Sequence, residues 1–338
     1  MWSHFVKWPF APILEKPNES EWQKYFPRGI GNSAFSSLPW QQIMAHEMGS
    51  DWHLRILSTQ PGESKRSMPV FVRYNHWRRF EMAVFPIAYY ITPWESDGLT
   101  SEDIQAILRA VASMRTTTFS WWLPPWSGFN STTLETTGFR DLLSHVSVTT
   151  YLIELNEPVE EYLATNVSKT HARYVRASMK RGMEIINHPS PELVDEYFAL
   201  YQRVRQEQNW IDKPFSREFF HSVATTLSEG GQLLLMRYED RVVGGGVFLY
   251  DRHAVHYFQG TMDRSVKNVH PHSVLYAEAL KRAAERNLHY INVGGINEGN
   301  EGLVNFKTSW GAKPCSITYL RLRCTLSQAV KHAIHSLI

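Results

Sequence analysis

Cysteine is nearly absent: the 338 residues hold only Cys315 and Cys324. Two thiols near one end make neither a disulfide framework nor a four-ligand zinc site, and a reduced, cytoplasmic setting is the economical expectation. Long apolar runs are missing too. The first twenty residues carry three prolines and no apolar core of signal-peptide length. The most apolar later run, 82–94, is interrupted by Pro86 and Pro93 and falls far short of the ~20 residues that span a bilayer. Neither sign of charge is in excess, with 35 Lys and Arg against 33 Asp and Glu. Any contact with nucleic acid must therefore come from a local patch. No nucleophile elbow, Walker A loop or dinucleotide fingerprint occurs, and Gly244-Gly245-Gly246 falls inside a strand pattern instead of before a helix. The histidine pairs 253/256 and 270/272 lack an acid or Cys at ligand spacing, which argues against a metal site.

What is plentiful is aromatic surface, 13% of residues with 12 Trp, which builds large cores and stacking walls. With 43% hydrophobic and 20% charged residues the chain is of globular composition, and its length predicts two domains. In the first half a short helix is expected over 36–48, strands over 52–57, 69–74 and within 79–91, a helix from Thr100 and a strand over 119–123. From residue 149 the pattern sharpens. It predicts a strand (149–155), one long helix (157–181) stopped by Gly182, a strand (183–187) and helices over 191–208 and 215–229. Three strands joined by tight turns follow over 232–238, 242–250 and 254–260, then a helix over 273–287 and strands over 290–293 and 316–323. This is α+β, with a domain boundary near residue 150: an N-terminal domain of 1–150 and a C-terminal one of 151–338, connected by helix 157–181. The last segment, about 325–338, is expected to pack back on the first domain.

Two stretches can carry chemistry. Lys169, Arg173, Arg176 and Lys180 recur in steps of four, three and four, so they share one helix face, with Val167, Ala172, Val175 and Met179 as an apolar side. Such a row suits a phosphate backbone, although most charge runs are simply solvated faces. In INVGGINEGNEGLVNFKTSWGAKP (291–314), Gly294 and Gly295 allow unusual backbone angles or close ligand approach, and Phe306-Lys307 arrive on a polar loop. A lysine held beside an aromatic can stabilise a developing oxyanion or grip a phosphate; the alternative is an ordinary surface amine.

The order of these pieces resembles the Fem-type aminoacyltransferases and their relatives in the GNAT acyltransferase superfamily. The resemblance runs from about Ser147 to Pro314, through TTYLIELNEPVEEYLATNVSKTHARYVRASMKRGMEI, VVGGGVFLYDRHAVHYFQGTMD and HPHSVLYAEALKRAAERNLHYINVGG, to GLVNFKTSWGA, its most specific part. It implies two GNAT-like domains, each a mixed central sheet flanked by helices. It also implies an acyltransferase with no resident cofactor, which moves an aminoacyl group from aminoacyl-tRNA to an amine of a peptide-like acceptor, a cell-wall precursor or peptide natural product. Relatives with acyl-CoA donors, and a GNAT-shaped binding protein without catalysis, are the alternatives. The resemblance makes Phe306 and Lys307 the catalytic pair. Tyr257, Arg205, Asn292, Gly294, Gly295, Asn305, Glu95 and Asp97 become substrate-lining positions, and Lys169, Arg173, Arg176 and Lys180 the tRNA or phosphate contacts. The chain departs from the pattern after Trp40, where no Lys follows to grip an acceptor diphosphate. The turn 268–272 before the 273–287 helix holds a proline and no glycine, unlike the phosphate cradle of CoA-dependent members, so the basic helix favours a tRNA donor.

Overall fold

The computed structural model describes residues 13–15, 18–26, 34–58, 67–74, 80–83, 101–114, 116–123 and 143–323, the last range apart from 228–229, 267 and 297–299. These residues fall into two compact units. One contains described residues before 27, 44–148 and 316–323; the other contains 34–43 and 149–315. Glu95, Asp97, Cys324 and the segment 325–338 lie outside the described residues.

The first unit contains β1 (Ile13–Glu15), α1 (Glu19–Tyr25), β2 (Trp52–Ser58), β3 (Ser67–Tyr74), β4 (Phe80–Ala83), α3 (Ser101–Ser113) and β5 (Thr116–Leu123). Helix α2 (Leu38–Met48) precedes β2. Strands β1 to β4 pair antiparallel in sequence order, β4 and β5 pair parallel, and β5 pairs antiparallel with the last strand, β12 (Lys313–Arg323). Phe71, Val72, Ile107, Leu108, Phe119 and Trp121 are buried here.

The second unit starts where β6 (Leu143–Glu154) passes residue 148. It continues through α4 (Val159–Thr165), α5 (Lys169–Lys180), β7 (Glu184–Ile186), α6 (Pro191–Glu207) and α7 (Arg217–Thr226). Then come β8 (Gly231–Tyr238), β9 (Arg241–Tyr250), β10 (Ala254–Met262), α8 (Pro271–Glu285), β11 (Tyr290–Gly295) and α9 (Glu301–Thr308). Its ladder runs β6-β11-β10-β9-β8-β7; β10 and β11 are parallel and the other pairs antiparallel. The β8–β9 hairpin turns on Glu239 and Asp240, both at positive φ (49° and 58°), the twist a two-residue hairpin requires. Asp251 makes the next turn by accepting the N–H groups of His253 and Ala254 on Oδ1. Helix α6 buries Val194, Tyr197, Leu200, Tyr201 and Val204, a stripe three and four residues apart.

Two expectations are corrected. The helix over 157–181 is two helices, because Ser168 starts a new one: its N–H donates to the Ser309 carbonyl (2.8 Å) and its Oγ accepts from the Thr170 N–H. The polar loop holding Phe306 and Lys307 is α9, whose start Asn300 caps by accepting the Leu303 N–H (3.1 Å). Each unit has its own mixed pairing of strands with flanking helices, as expected.

Candidate active site

The site is built where β10 and β11 stop pairing. Ala254, Val255 and His256 lie abreast of Tyr290, Ile291 and Asn292, and the register ends there. Beyond it β10 takes a bulge between Tyr257 and Gln259, and β11 shifts register against β6 between Asn292 and Gly295. Gly294 sits in that shift at φ +79°, a conformation that favours glycine. This turns the carbonyls of Gly294 and Gly295 toward one point, and Lys307 Nζ donates to both at 2.8 Å.

Lys307 is therefore no surface amine. It is 3% exposed, and burial pulls its ammonium down to about 7, while two carbonyl acceptors favour the charged form. The Tyr151 ring centroid lies 5.5 Å from Nζ, adding a cation–π contact. An ammonium has three N–H donors, and two are spoken for. The third has no protein hydrogen-bond acceptor among the described residues.

Phe306 faces a wall of rings. It stacks on His272 (4.6 Å) and meets Tyr276 (5.0 Å) and His171 (5.1 Å) edge-on. Tyr257 joins the same wall through Tyr276 (5.8 Å) and His272 (6.3 Å). Burial, then the charges of Arg264 and Lys307, push His272 down to about 4, and burial followed by His270 lowers His171. Both imidazoles are then neutral near pH 7, and His171 Nδ1 pairs with Ser273 Oγ at 3.0 Å. Burial also raises the Tyr257 and Tyr276 phenols, which stay protonated.

The structure brings Lys307, Phe306, Asn292, Gly294, Gly295 and Tyr257 into one neighbourhood. It does not bring in Arg205 or Asn305. Arg205 is committed to the α6–α7 connection, where it pairs with Asp212 (3.1 Å) and donates to the Trp210 carbonyl (3.2 Å). Asn305 is exposed, and two residues before Lys307 it lies on another face of α9. The row Lys169, Arg173, Arg176, Lys180 is exposed along α5, as a ligand surface requires, but Met179 is 43% exposed and not on the packed side. Sequence reasoning missed His171, His272, Tyr276, Tyr151 and the Asp251–His256 pair. The histidine spacing was visible, yet only the fold shows that these rings line a site. Among the described residues no three His, Cys, Asp or Glu side chains cluster to hold a metal.

Residues 166–308 match the family model of the acetyltransferase (GNAT) domain. No curated protein matches the chain in sequence. Among solved structures, FemX superposes with a TM-score of 0.66 at 11% identity, covering 90% of this chain and 96% of FemX. L-PGS from Bacillus licheniformis gives 0.54 at 12% identity, covering 94% and 95% of the two chains. The C-terminal domain of a protein assigned as a lysylphosphatidylglycerol synthetase from Agrobacterium fabrum gives 0.53 at 12%, covering 87% and 90%. At these identities the likeness establishes the fold. With the domain match over the stretch that carries Lys307, it follows that residues 166–308 of this chain are a GNAT domain and that the protein is an acyltransferase.

Proposed function

We propose that the protein forms an amide bond by moving an aminoacyl group from aminoacyl-tRNA to an amine of a peptide-like acceptor, a cell-wall precursor or peptide natural product. The observation that carries this reading is the exposed cationic row of α5, linked by neighbouring rings to the buried ammonium. Tyr174 of α5 lies 5.8 Å from His171, and His171 lies 5.1 Å from Phe306, the residue before Lys307. Phosphates of an acceptor stem would lie along Lys169, Arg173, Arg176 and Lys180, releasing counterions, while the esterified 3′ end reaches the ring wall. The fold shared with FemX and the lysylphosphatidylglycerol synthetase domain supports an aminoacyl cargo.

The acceptor amine attacks the ester carbonyl, a C–N bond forms and the C–O bond to the ribose breaks. No covalent enzyme intermediate is needed. Lys307 donates its third N–H to the tetrahedral oxyanion, and the proton lost by the amine ends on the leaving oxygen. Phe306 and Tyr257 shape the pocket, and the Gly294 and Gly295 carbonyls aim the ammonium.

One observation favours a second reading: the matched family model is that of an acetyltransferase domain, which suits an acyl-CoA donor. Against it stands the start of α8, where Pro271 lacks an N–H and the Ser273 hydroxyl is taken by His171. The deciding experiment offers radiolabelled aminoacyl-tRNA and acyl-CoA to the protein in filter-binding and ester-protection assays. Salt-sensitive binding and protection of aminoacyl-tRNA are expected. Binding of acyl-CoA with none of tRNA would overturn the tRNA reading in favour of the second.

A further inference from the structure

Behind the carbonyl cradle lies a buried chain of hydrogen bonds that the chemistry above does not use. Asp251, His256, Asn292 and Thr150 are each less than a tenth exposed, with His256 at 1%. Asp251 Oδ2 lies 2.7 Å from His256 Nε2, while Asp251 Oδ1 accepts two backbone N–H groups. The Gly294 N–H takes the Asn292 oxygen, which turns the Asn292 NH2 to His256 Nδ1 and makes that nitrogen the acceptor, with Nε2–H toward Asp251. Nδ1 lies 3.4 Å from Asn292 Nδ2, so the amide must present its NH2 to His256 and its oxygen the other way. That oxygen accepts the Thr150 hydroxyl (2.8 Å) and the Gly294 N–H (2.9 Å). Gly294 in turn supplies one of the two carbonyls that hold Lys307. These bonds are satisfied together by one orientation of the Asn292 amide, so Asp251 is linked through His256 and Asn292 to the Gly294 peptide. The parallel register that sets His256 abreast of Asn292 makes the chain possible.

We infer that Asp251, His256, Asn292 and Thr150 are positioning residues that lock the Gly294 turn so that its carbonyl, with that of Gly295, aims and stabilises the Lys307 ammonium. The catalytic consequence rests on the role given to Lys307 above; the geometric part does not. Phe35 packs edge-on against His256 at 5.0 Å and closes its other side. The titratable groups facing Lys307 itself are His272 of α8 and Tyr151 of β6, with Tyr276 and His171 against the neighbouring Phe306, and none belongs to the chain of positioning residues.

The test separates the two ends of the imidazole. His256→Gln places an amide near Nε2, so it can meet Asp251 but not Asn292. His256→Asn places one near Nδ1, so it can still accept from Asn292. The protein is labelled with 13Cε-lysine, the Lys307 signal is assigned by its loss in Lys307→Met, and its titration is followed by NMR. Carbonyls that accept from an ammonium favour its charged form, so a loosened cradle lowers the midpoint. His256→Gln is expected to lower it by about one unit, His256→Asn by much less. Thr150→Val, a change of similar volume, should shift it in the same direction if the histidine variants fold poorly. In an acyl-transfer assay, the alkaline limb of kcat for His256→Gln should move down with the NMR midpoint while KM stays put. A role in stability alone would lower Tm and leave the midpoint and limb unmoved, and that result overturns the proposal. A midpoint that moves while the limb does not supports the positioning and overturns the catalytic role of Lys307 instead.

Discussion

At the scale of single residues, Lys307 joins sequence to chemistry. An amine attacking an ester creates negative charge on oxygen, and a preorganised cation is worth most as that charge develops. Losing one such donor costs about 10²–10³ in turnover. Lys307→Met should therefore lower kcat on that scale with acceptor binding nearly intact. Lys307→Arg should rescue only partly, since a planar guanidinium cannot occupy the place of an ammonium. Steady-state kinetics check both, and a Met variant within twofold of the parent would return Lys307 to a structural role. The Met side chain leaves the partly buried Gly294 and Gly295 carbonyls without their donor, which destabilises the fold by at most about 1–3 kcal/mol each, so rates must be read per folded molecule. The midpoint of about 7 also sets two pH dependences. Chemistry that needs the ammonium should decline as pH rises through that value. The unfolded chain keeps the lysine protonated up to about 10.4, so between the two values it binds more protons than the folded state. Burying Lys307 thus costs most below pH 7, and that cost should fade as pH climbs toward 10. Denaturant titrations of the parent and Lys307→Met across that window should show parent stability rising relative to the variant. A gap that stays constant with pH contradicts it.

At the scale of elements, α5 and α9 show opposite relations between sequence and fold. The four cations of α5 were legible as one face because their spacing alone decides it, and all four are exposed. Replacing Arg173, Arg176 and Lys180 with Ala should weaken tRNA binding and flatten its log–log salt dependence by about 0.7–0.9 per lost phosphate contact. Unchanged affinity and slope would make the row a solvated face. Helix α9 was read as a loop because eight residues containing Gly302 form a weak isolated helix. Its Asn300 cap and the burial of Lys307 hold it. The end of that region makes a sharper demand. Gly311 lies at φ +78°, and a Cβ there would fall 2.2 Å from the Tyr162 hydroxyl, which donates to the Trp310 carbonyl at 3.0 Å. Gly311→Ala should lower the thermal midpoint clearly, through both backbone strain and the displaced tyrosine; a calorimetric scan without a shift would show that Tyr162 can retreat.

At the scale of the whole molecule, the unit that carries Lys307 is not a continuous stretch of chain. It takes in 34–43, where Trp40 is fully buried and packs edge-on against Phe258 (5.1 Å) and Phe219 (6.2 Å). A boundary placed near residue 150 would cut this segment away from the unit it completes. A fragment of 149–315 should therefore expose the Phe215–Phe219–Phe258 cluster and be poorly soluble, and Trp40→Ala in the full chain should destabilise that unit by about 3–5 kcal/mol. Sedimentation of the fragment and denaturant unfolding of the variant test this; a soluble, cooperatively folding fragment would show the segment to be dispensable.

By itself the sequence determined what local rules decide. Caps, breakers and periodicity located most elements after residue 149, because each signal acts within a turn or two of chain. The Phe306-Lys307 ending and the resemblance around it pointed to acyl transfer. Only the tertiary structure decided that Lys307 is buried and aimed by two carbonyls, that Arg205 is spent on Asp212, and that residues 34–43 belong with the unit that carries Lys307. The reason is physical. Burial, desolvation and the choice of hydrogen-bond partner depend on groups brought together from positions as distant as Thr150 and Asn292, and no local pattern records which distant groups those are.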